Sequence, residues 1–325
     1  MPTFSIIIPV KELSDYLRET VPHILALDYS DWELFIITND EQVTEWPAEP
    51  RIKIMSSGKV GPAEKRDLAA RVAAGVYLVF LDDDSYPESN LLSLALTKFA
   101  SGSVALGGPA MTPLNDSFKQ KVSGVVFSSR ITGGAPERYR PVGEQREVDD
   151  WPSVNLMVKR DVFISVDGFD SPYWPGEDTF LCLKLLRAGH KVTYIPDLIV
   201  WHHRREGLLR HMKQVGAYGL HRGYFARHLP ETSRRVEYFF PSVVFLMFLC
   251  LPIVLLLPEY FRWLFLLGIC GYLSAVVVGI LDLMRYEKPI VAIAALPYVI
   301  ATHISYGYQF LRGLFHRGKL VSKLR

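Results

Sequence analysis

Three apolar stretches in the last third of this 325-residue chain, 238–257, 260–283 and 289–311, limit its possible folds more than any other feature. Each approaches or exceeds the roughly 20 residues that a helix needs to cross a bilayer core. Residues before 236 read as globular, so the hydrophobic fraction of 49% is concentrated and not spread evenly. The first two stretches read as a helical hairpin around "LPEY", with Pro252 kinking the first, which membranes tolerate. The third carries His303, Ser305, Tyr306, Tyr308 and Gln309 in its second half, groups that are unfavourable against lipid.

Charge placement turns this into a question of topology. The net charge of +2 says little, but residues 202–235 hold eight Lys/Arg against two Glu, with five of the nine histidines. The tail 312–325 is also basic (Arg312, Arg317, Lys319, Lys323, Arg325) and has no acidic residue. Basic flanks mark the cytoplasmic side, so three full crossings would leave the tail on the wrong side. Either the tail departs from that rule, or the third segment is re-entrant or interfacial, as its polar half suggests. The start, "MPTFSIIIPVKE", has no basic n-region and too short an apolar core for a signal peptide. It reads as a first strand. The expectation is a multi-pass inner- or plasma-membrane protein with a cytoplasmic N-terminal domain. Cys182, Cys250 and Cys270 have no metal-ligand spacing and read as free thiols.

Strands and helices alternate through the first hundred residues. "FSIIIPV" (4–10), "WELFIITND" (32–40), "RIKIMSS" (51–57), "VYLVFLDDD" (76–84) and "SVALGG" (103–108) read as strands. Helices are expected over 13–27, 61–75 and 88–100. Near-continuous apolar strands separated by helices predict an α/β fold, Rossmann-like, with a mostly parallel sheet covered on both faces. Ligands bind such sheets at the carboxyl ends of the strands, where Pro9-Val10, Asn39-Asp40 and Asp82–Asp84 fall. Residues 109–150 are rich in Gly, Pro and charge and read as a mobile loop over that edge, or as a surface insertion.

Three consecutive aspartates after an apolar strand repel one another unless a cation sits among them. Strand alternation puts Asp82 and Asp84 on one side and Asp83 on the other. Two carboxylates there form a hard oxygen site suited to Mn²⁺ or Mg²⁺. Helix capping is the structural alternative, but one aspartate would suffice for it. A second acidic pair, Glu177-Asp178 in "WPGEDTFLCLKLLRAG", opens a helix, where the dipole favours anions and where ordinary capping is again the plainer reading.

"SIIIPV", "GPAEKRDLAARVAAGVYLVFLDDD" and "GFDSPYWPGEDTFLCLKLLRAGHKV", in that order and spacing, resemble the family 2 glycosyltransferases of the GT-A fold over residues 3–205. The resemblance implies a nucleotide-sugar donor (a UDP- or GDP-sugar), a divalent metal and an inverting displacement. Asp82 and Asp84 match the family's Asp-X-Asp motif at ribose, metal and diphosphate, with Asp83 between them. Pro9, Val10 and Asp40 match the nucleobase loops, and Arg66 a basic residue near the nucleotide, its plainer reading being a solvated helix arginine. Asp178 matches the base that receives the acceptor proton, beside Glu177. In "VWHHRR" either His202 or His203 fits a metal-binding histidine, although either is equally a structural residue. Arg204 or Arg205 suits the leaving diphosphate. Trp174, His303 and Tyr306 are candidate acceptor or lipid contacts; for the last two, hydrogen bonding between helices is the alternative.

Between these parts, 206–236 reads as a basic interfacial helix, with Leu208, Leu209, Met212, Val215, Gly219 and Leu220 near one face. Packing on the catalytic domain is compatible with that pattern. Where processive synthases of the family carry Gln-X-X-Arg-Trp, this chain has "QVGAYG", which disfavours chain extension. The expected domains are thus 1–205, catalytic; 206–236, interfacial; 237–311, membrane; and 312–325, a basic tail. The expected activity is sugar transfer to a lipid-linked saccharide or glycolipid, with membrane and nucleotide sugar as partners and no nucleic acid. Polyprenyl phosphate is the competing acceptor, although "DDDSYPE" departs from that subfamily's Asp-Ala-Asp. A catalytically silent membrane scaffold is the reading from another class, opposed by the presence of both acidic pairs.

Overall fold

The computed structural model describes residues 2–254 and 256–320. Lys323 and Arg325 of the expected basic tail lie outside the described residues. The strands are β1 (Phe4–Pro9), β2 (Trp32–Thr38), β3 (Ile52–Ser56), β4 (Tyr77–Phe80), β5 (Ser85–Pro87), β6 (Ala105–Gly107), β7 (Ala110–Met111), β8 (Arg146–Val148), β9 (Leu156–Lys159), β10 (Val192–Tyr194) and β11 (Val200–His202). The helices are α1 (Asp15–Leu25), α2 (Pro62–Val72), α3 (Leu91–Ala100), α4 (Phe118–Val125), α5 (Arg160–Ser165), α6 (Glu177–Arg187), α7 (Leu208–His228), α8 (Pro230–Ser233), α9 (Val236–Val254), α10 (Glu259–Leu283), α11 (Pro289–Ala294) and α12 (Leu296–Leu314).

The chain divides into two compact units. One comprises residues 2–113 and 140–203; the other comprises 114–139 and 204–320. The sequence placed its main boundary at 205, and it did not anticipate that residues 114–139 join the C-terminal helices. Nor is 109–150 a structureless loop. It contains β7, α4, two 3₁₀ turns and β8. The Gly- and Pro-rich composition that suggested a loop belongs to the turns between these pieces.

In the first unit the strands pair in the order β3-β2-β1-β4-β9-β6-β10-β8. β3, β2, β1 and β4 run parallel, β9 is antiparallel to both neighbours, β6 and β10 are parallel, and β8 closes the edge antiparallel. The sheet is mostly parallel, as the apolar strands predicted. One core packs Leu17, Val21 and Ile24 of α1 and Leu91, Leu92 and Phe99 of α3 against one face. A second packs Ala69 and Ala70 of α2, Phe163 of α5 and Leu181 and Leu185 of α6 against the other. Burial on both faces explains why Ile6, Ile7 and Ile8 are consecutive and apolar without alternation. A small sheet, β5-β11-β7, adjoins the end of β4.

The second unit is helical. Its core joins Val122 and Val125 of α4 to Val244 of α9, Val276 and Ile280 of α10, Val291 of α11 and Val299 of α12. Among the described residues, three helical stretches are long and apolar enough to cross a membrane: Val236–Val254, Glu259–Leu283 and Pro289–Leu314.

Candidate active site

Because β1, β2 and β4 are parallel neighbours, their carboxyl ends bring Pro9-Val10, Asn39-Asp40 and Asp82–Asp84 to one edge of the sheet. The strand stops at Phe80, so the aspartates occupy a turn between β4 and β5. Strand alternation is therefore not what brings Asp82 and Asp84 together. The turn is tied internally, since Ser85 Oγ donates to Asp82 O at 2.8 Å and accepts from Asp82 N at 3.1 Å.

The third member of the cluster comes from the far end of the unit. β11 pairs antiparallel with β5, placing His202 opposite Ser85. His202 Nε2 stands 3.1 Å from Asp84 Oδ1. Asp82, Asp84 and His202 each present one ligand atom, all within 4.8 Å of one another. Two carboxylate oxygens and an imidazole nitrogen are a donor set that fits Mn²⁺ and similar divalent ions. Of the two adjacent histidines, the geometry brings His202 to the aspartates. His203 is turned to the opposite side, where its Nε2 lies 2.9 Å from Glu19 Oε2 on α1 and its ring stands against Tyr16. It is not part of the cluster.

Arg66 departs most from expectation. On an Ala-rich helix it read as a candidate for solvation, yet it is 2% exposed. One guanidinium nitrogen donates to Asp82 Oδ1 at 2.6 Å and the other to Glu177 Oε1 at 3.1 Å. Phe169 lies against its face. Arg66 thus joins the two acidic centres recognised in the sequence. Burial, and then the adjacent Asp178 charge, push the Glu177 carboxyl up to about 7, against the pull of Arg66. Carboxyls shifted into the neutral range by burial concentrate at functional sites.

Glu177 and Asp178 open α6, after Gly176 at φ 114°, a left-handed conformation that glycine adopts without strain. Asp178 is half-buried, and its two oxygens accept from the backbone N–H groups of Thr179 at 2.7 Å and Ser153 at 3.4 Å. Trp174, also half-buried, precedes a cis peptide bond to Pro175.

Several site-forming residues had no distinct signal in the sequence. Lys65 is buried, and its Nζ donates to the carbonyl of Val10 and, at 2.6 Å, to Asn39 Oδ1. It ties the ends of β1 and β2 together, and burial pushes its pKa down. Asp67 accepts from Phe169 N and Asp170 N, both at 2.8 Å. It holds the turn leading towards α6, where Asp167 and Asp170 have positive φ. The only hint was that both sit beside Arg66 in "AEKRDLA".

The remaining candidates are dispersed. The side chain of Val10 is in the core, so only its backbone is available to a ligand, and Asp40 is exposed. Asp83 is half-buried. Arg204 belongs to the second unit, where its guanidinium lies over Tyr139 and its N–H donates to Asp116. His303 is 4% exposed and its Nδ1 is 3.1 Å from Tyr272 Oη, while the Tyr306 ring stacks on Phe310. Burial removes His303 from any surface phosphate, leaving the helix-to-helix hydrogen bond that was its alternative.

Residues 5–164 match the family model "Glycosyl transferase family 2". This part of the chain is a family 2 glycosyltransferase domain. Over 159 residues, 49% of the chain, it is 28% identical to the pre-mycofactocin glycosyltransferase of Mycobacterium tuberculosis. The match spans 33%, about a third, of that relative's length. A second relative aligns nearly end to end. Over 97% of this chain and 98% of its own length it is 21% identical, and it is the dolichyl N-acetyl-α-D-glucosaminyl phosphate 3-β-D-2,3-diacetamido-2,3-dideoxy-β-D-glucuronosyltransferase of Methanococcus voltae. Among solved structures, the mannosyltransferase PcManGT of Pyrobaculum calidifontis, in complex with GDP-Man and Mn²⁺, superimposes with a TM-score of 0.55. At 15% identity over 97% of this chain and 87% of that one, this is a likeness of fold.

Proposed function

We propose that the glycosyltransferase domain moves a sugar from a nucleotide diphosphate donor to a hydroxyl of a lipid-linked saccharide at a membrane surface, with inversion. The observation that carries the proposal is the Asp82–Asp84–His202 cluster joined through Arg66 to the Glu177-Asp178 pair. A divalent ion held by the cluster would neutralise charge developing on the departing diphosphate. Asp178, held by two backbone donors, would take the proton of the acceptor hydroxyl as its oxygen bonds to the anomeric carbon and the bond to the diphosphate breaks. Glu177 and Arg66 keep that carboxylate in register with the metal cluster. The membrane helices, and the full-length likeness to an enzyme named for a dolichyl-linked sugar phosphate, support a lipid-borne acceptor confined to the same surface.

The test is to incubate the detergent-purified chain with Mn²⁺, mixed nucleotide sugars and a bacterial lipid extract, and to record lipid masses. A gain of one sugar, abolished by EDTA and by Asp178→Asn, is expected. A gain that survives Asp178→Asn would point to a phosphate acceptor, which needs no base. Absence of Mn²⁺-dependent nucleoside diphosphate binding would overturn the proposal in favour of a scaffold.

A further inference from the structure

Two members of the Asp82–Asp84–His202 cluster depend on a very small sheet. Asp84 immediately precedes β5 and His202 ends β11, and each of these strands has three residues. β7, with two residues, pairs with Val200 and Trp201 and stops short of His202, whose strand partner is Ser85 on β5. Ladders this short are marginal by themselves. Because side chains alternate along a strand, a slip of one residue in β11 would exchange His202 for His203 at the aspartates. The register therefore needs a hold from outside the ladder.

α1 supplies one. Its apolar residues Leu17, Val21 and Ile24 belong to the core against the large sheet. A second stripe, Tyr16, Glu19, Thr20 and His23, follows the i, i+3, i+4, i+7 spacing of one helix face. That stripe meets β5 and the end of β11. Thr20, 1% exposed, donates from Oγ1 to the carbonyl of Ser85 at 2.8 Å. Glu19 Oε2 lies 2.9 Å from His203 Nε2; a carboxylate only accepts, so this nitrogen is the donor. The buried His203 ring lies beside Tyr16 and Tyr86, and His23 stacks on Tyr86 with ring centroids 4.2 Å apart. The N–H of His203 donates to Asp84 O at 2.9 Å, which carries the pairing one step past β11.

The same device thus occurs twice. Asp84 has its C-terminal neighbour, Ser85, held by Thr20, and His202 has its C-terminal neighbour, His203, held by Glu19. Glu19 and Thr20 are outside the cluster, yet between them they join the two chain segments that set Asp84 Oδ1 and His202 Nε2 3.1 Å apart. A threonine within a helix commonly turns its hydroxyl back to a carbonyl of its own helix. The Thr20 hydroxyl instead reaches across to β5.

We propose that Glu19 and Thr20 are positioning residues for a divalent metal, acting through His203 and Ser85 to hold His202 and Asp84 at coordinating distance. The proposal rests on the reading of the Asp82–Asp84–His202 cluster as a metal site. Groups that orient metal ligands typically change metal affinity by about 10- to 100-fold. Glu19 and Thr20 act at one remove from the ligands, so the lower end of that range is expected.

The probe is Mn²⁺ alone, titrated into the detergent-purified chain while the free ion is counted by its electron paramagnetic resonance signal. Melting temperatures of the same samples are taken without metal. The parent should take up an ion that Asp84→Asn does not. Thr20→Val and Glu19→Ala should each weaken that uptake about tenfold. Thr20→Ser keeps the hydroxyl, and Glu19→Gln keeps an acceptor for His203 Nε2, so both should stay close to the parent. Lower melting temperatures with unchanged affinity in Thr20→Val and Glu19→Ala, while Asp84→Asn remains defective, would overturn the proposal and leave the metal site standing. Losses as large in the conservative variants as in Thr20→Val and Glu19→Ala would also overturn it, since neither hydrogen bond would then be what matters. A parent with no Asp84-dependent uptake would overturn the metal-site reading and this proposal with it. The two positions are read separately, so a variant that does not fold leaves the other to decide.

Discussion

Polar groups are buried in both units, but by different means. In the first unit they are charged and paired, with Arg66 held between Asp82 and Glu177 and Asp84 beside His202. In the second, apart from Arg204 and Asp116, they are chiefly imidazoles and hydroxyls joined by hydrogen bonds, with His211 between Ser123 and Thr302, and His303 against Tyr272. A buried charge is tolerated only where something opposes it, whereas a neutral network needs only its hydrogen bonds. The first arrangement leaves carboxylates that an incoming cation can use. The second suits helices beside a bilayer, where no counter-ion is at hand.

The comparison is broken most severely at Arg66. Arg66→Ala leaves Glu177, 6% exposed, without its counter-charge, and loss of one partner of a buried pair costs about 3–5 kcal/mol. A thermal shift in detergent should show a fall of that order together with loss of Mn²⁺-dependent nucleotide binding. Arg66→Met with Glu177→Leu should recover much of the stability and none of the binding. Recovery of both would mean that the pair is structural only.

A smaller effect, and one that sharpens the contrast, concerns His211. Burial pushes its pKa from 6.5 down to about 4. The unfolded chain therefore binds a proton there before the folded one does. Stability is intact above pH 6.5 and declines as pH falls towards 4, by about 3 kcal/mol in all. Melting temperatures measured between pH 7 and pH 4.5 should fall in the parent and flatten in His211→Asn. An unchanged slope in the variant would assign the acid sensitivity to other groups.

The smallest effect is expected at Asp67, whose two oxygens hold the N–H groups of Phe169 and Asp170. Asp67→Ala should cost about 1–3 kcal/mol and lower turnover more than donor affinity, because the loop it holds leads to Asp178 and not to the metal cluster. Asp67→Asn should rescue little, since its amide would turn a donor towards one of those N–H groups. An equal loss of turnover and donor affinity would show that Asp67 supports the whole edge of the sheet.

Much of this architecture was legible in the residues. Apolar runs without alternation marked buried parallel strands, the aspartates marked the loaded edge of the sheet, and Glu177-Asp178 marked the start of α6. The turn carrying Asp82–Asp84 was misread as strand, because a run of β-formers gives no sign of where its ladder ends. Arg66 was left undecided because α2 combines alanines with charged residues along its length, and such a helix shows only a weak apolar face from which to read its rotation.

By itself, then, the sequence determined which local elements form and which chemical groups the chain carries, since periodicity, capping and composition act over a few residues. The tertiary structure decided which of two adjacent histidines joins the aspartates, because the register of β11 on β5 turns His202 inward and His203 towards Glu19. It also made Arg66 the link between two acidic centres, with Glu177 lying 111 residues from it in sequence and Asp82 lying 16. And it set the basic helix α7 against α12, because glycine contacts between helices so distant in the chain leave no trace in either segment alone.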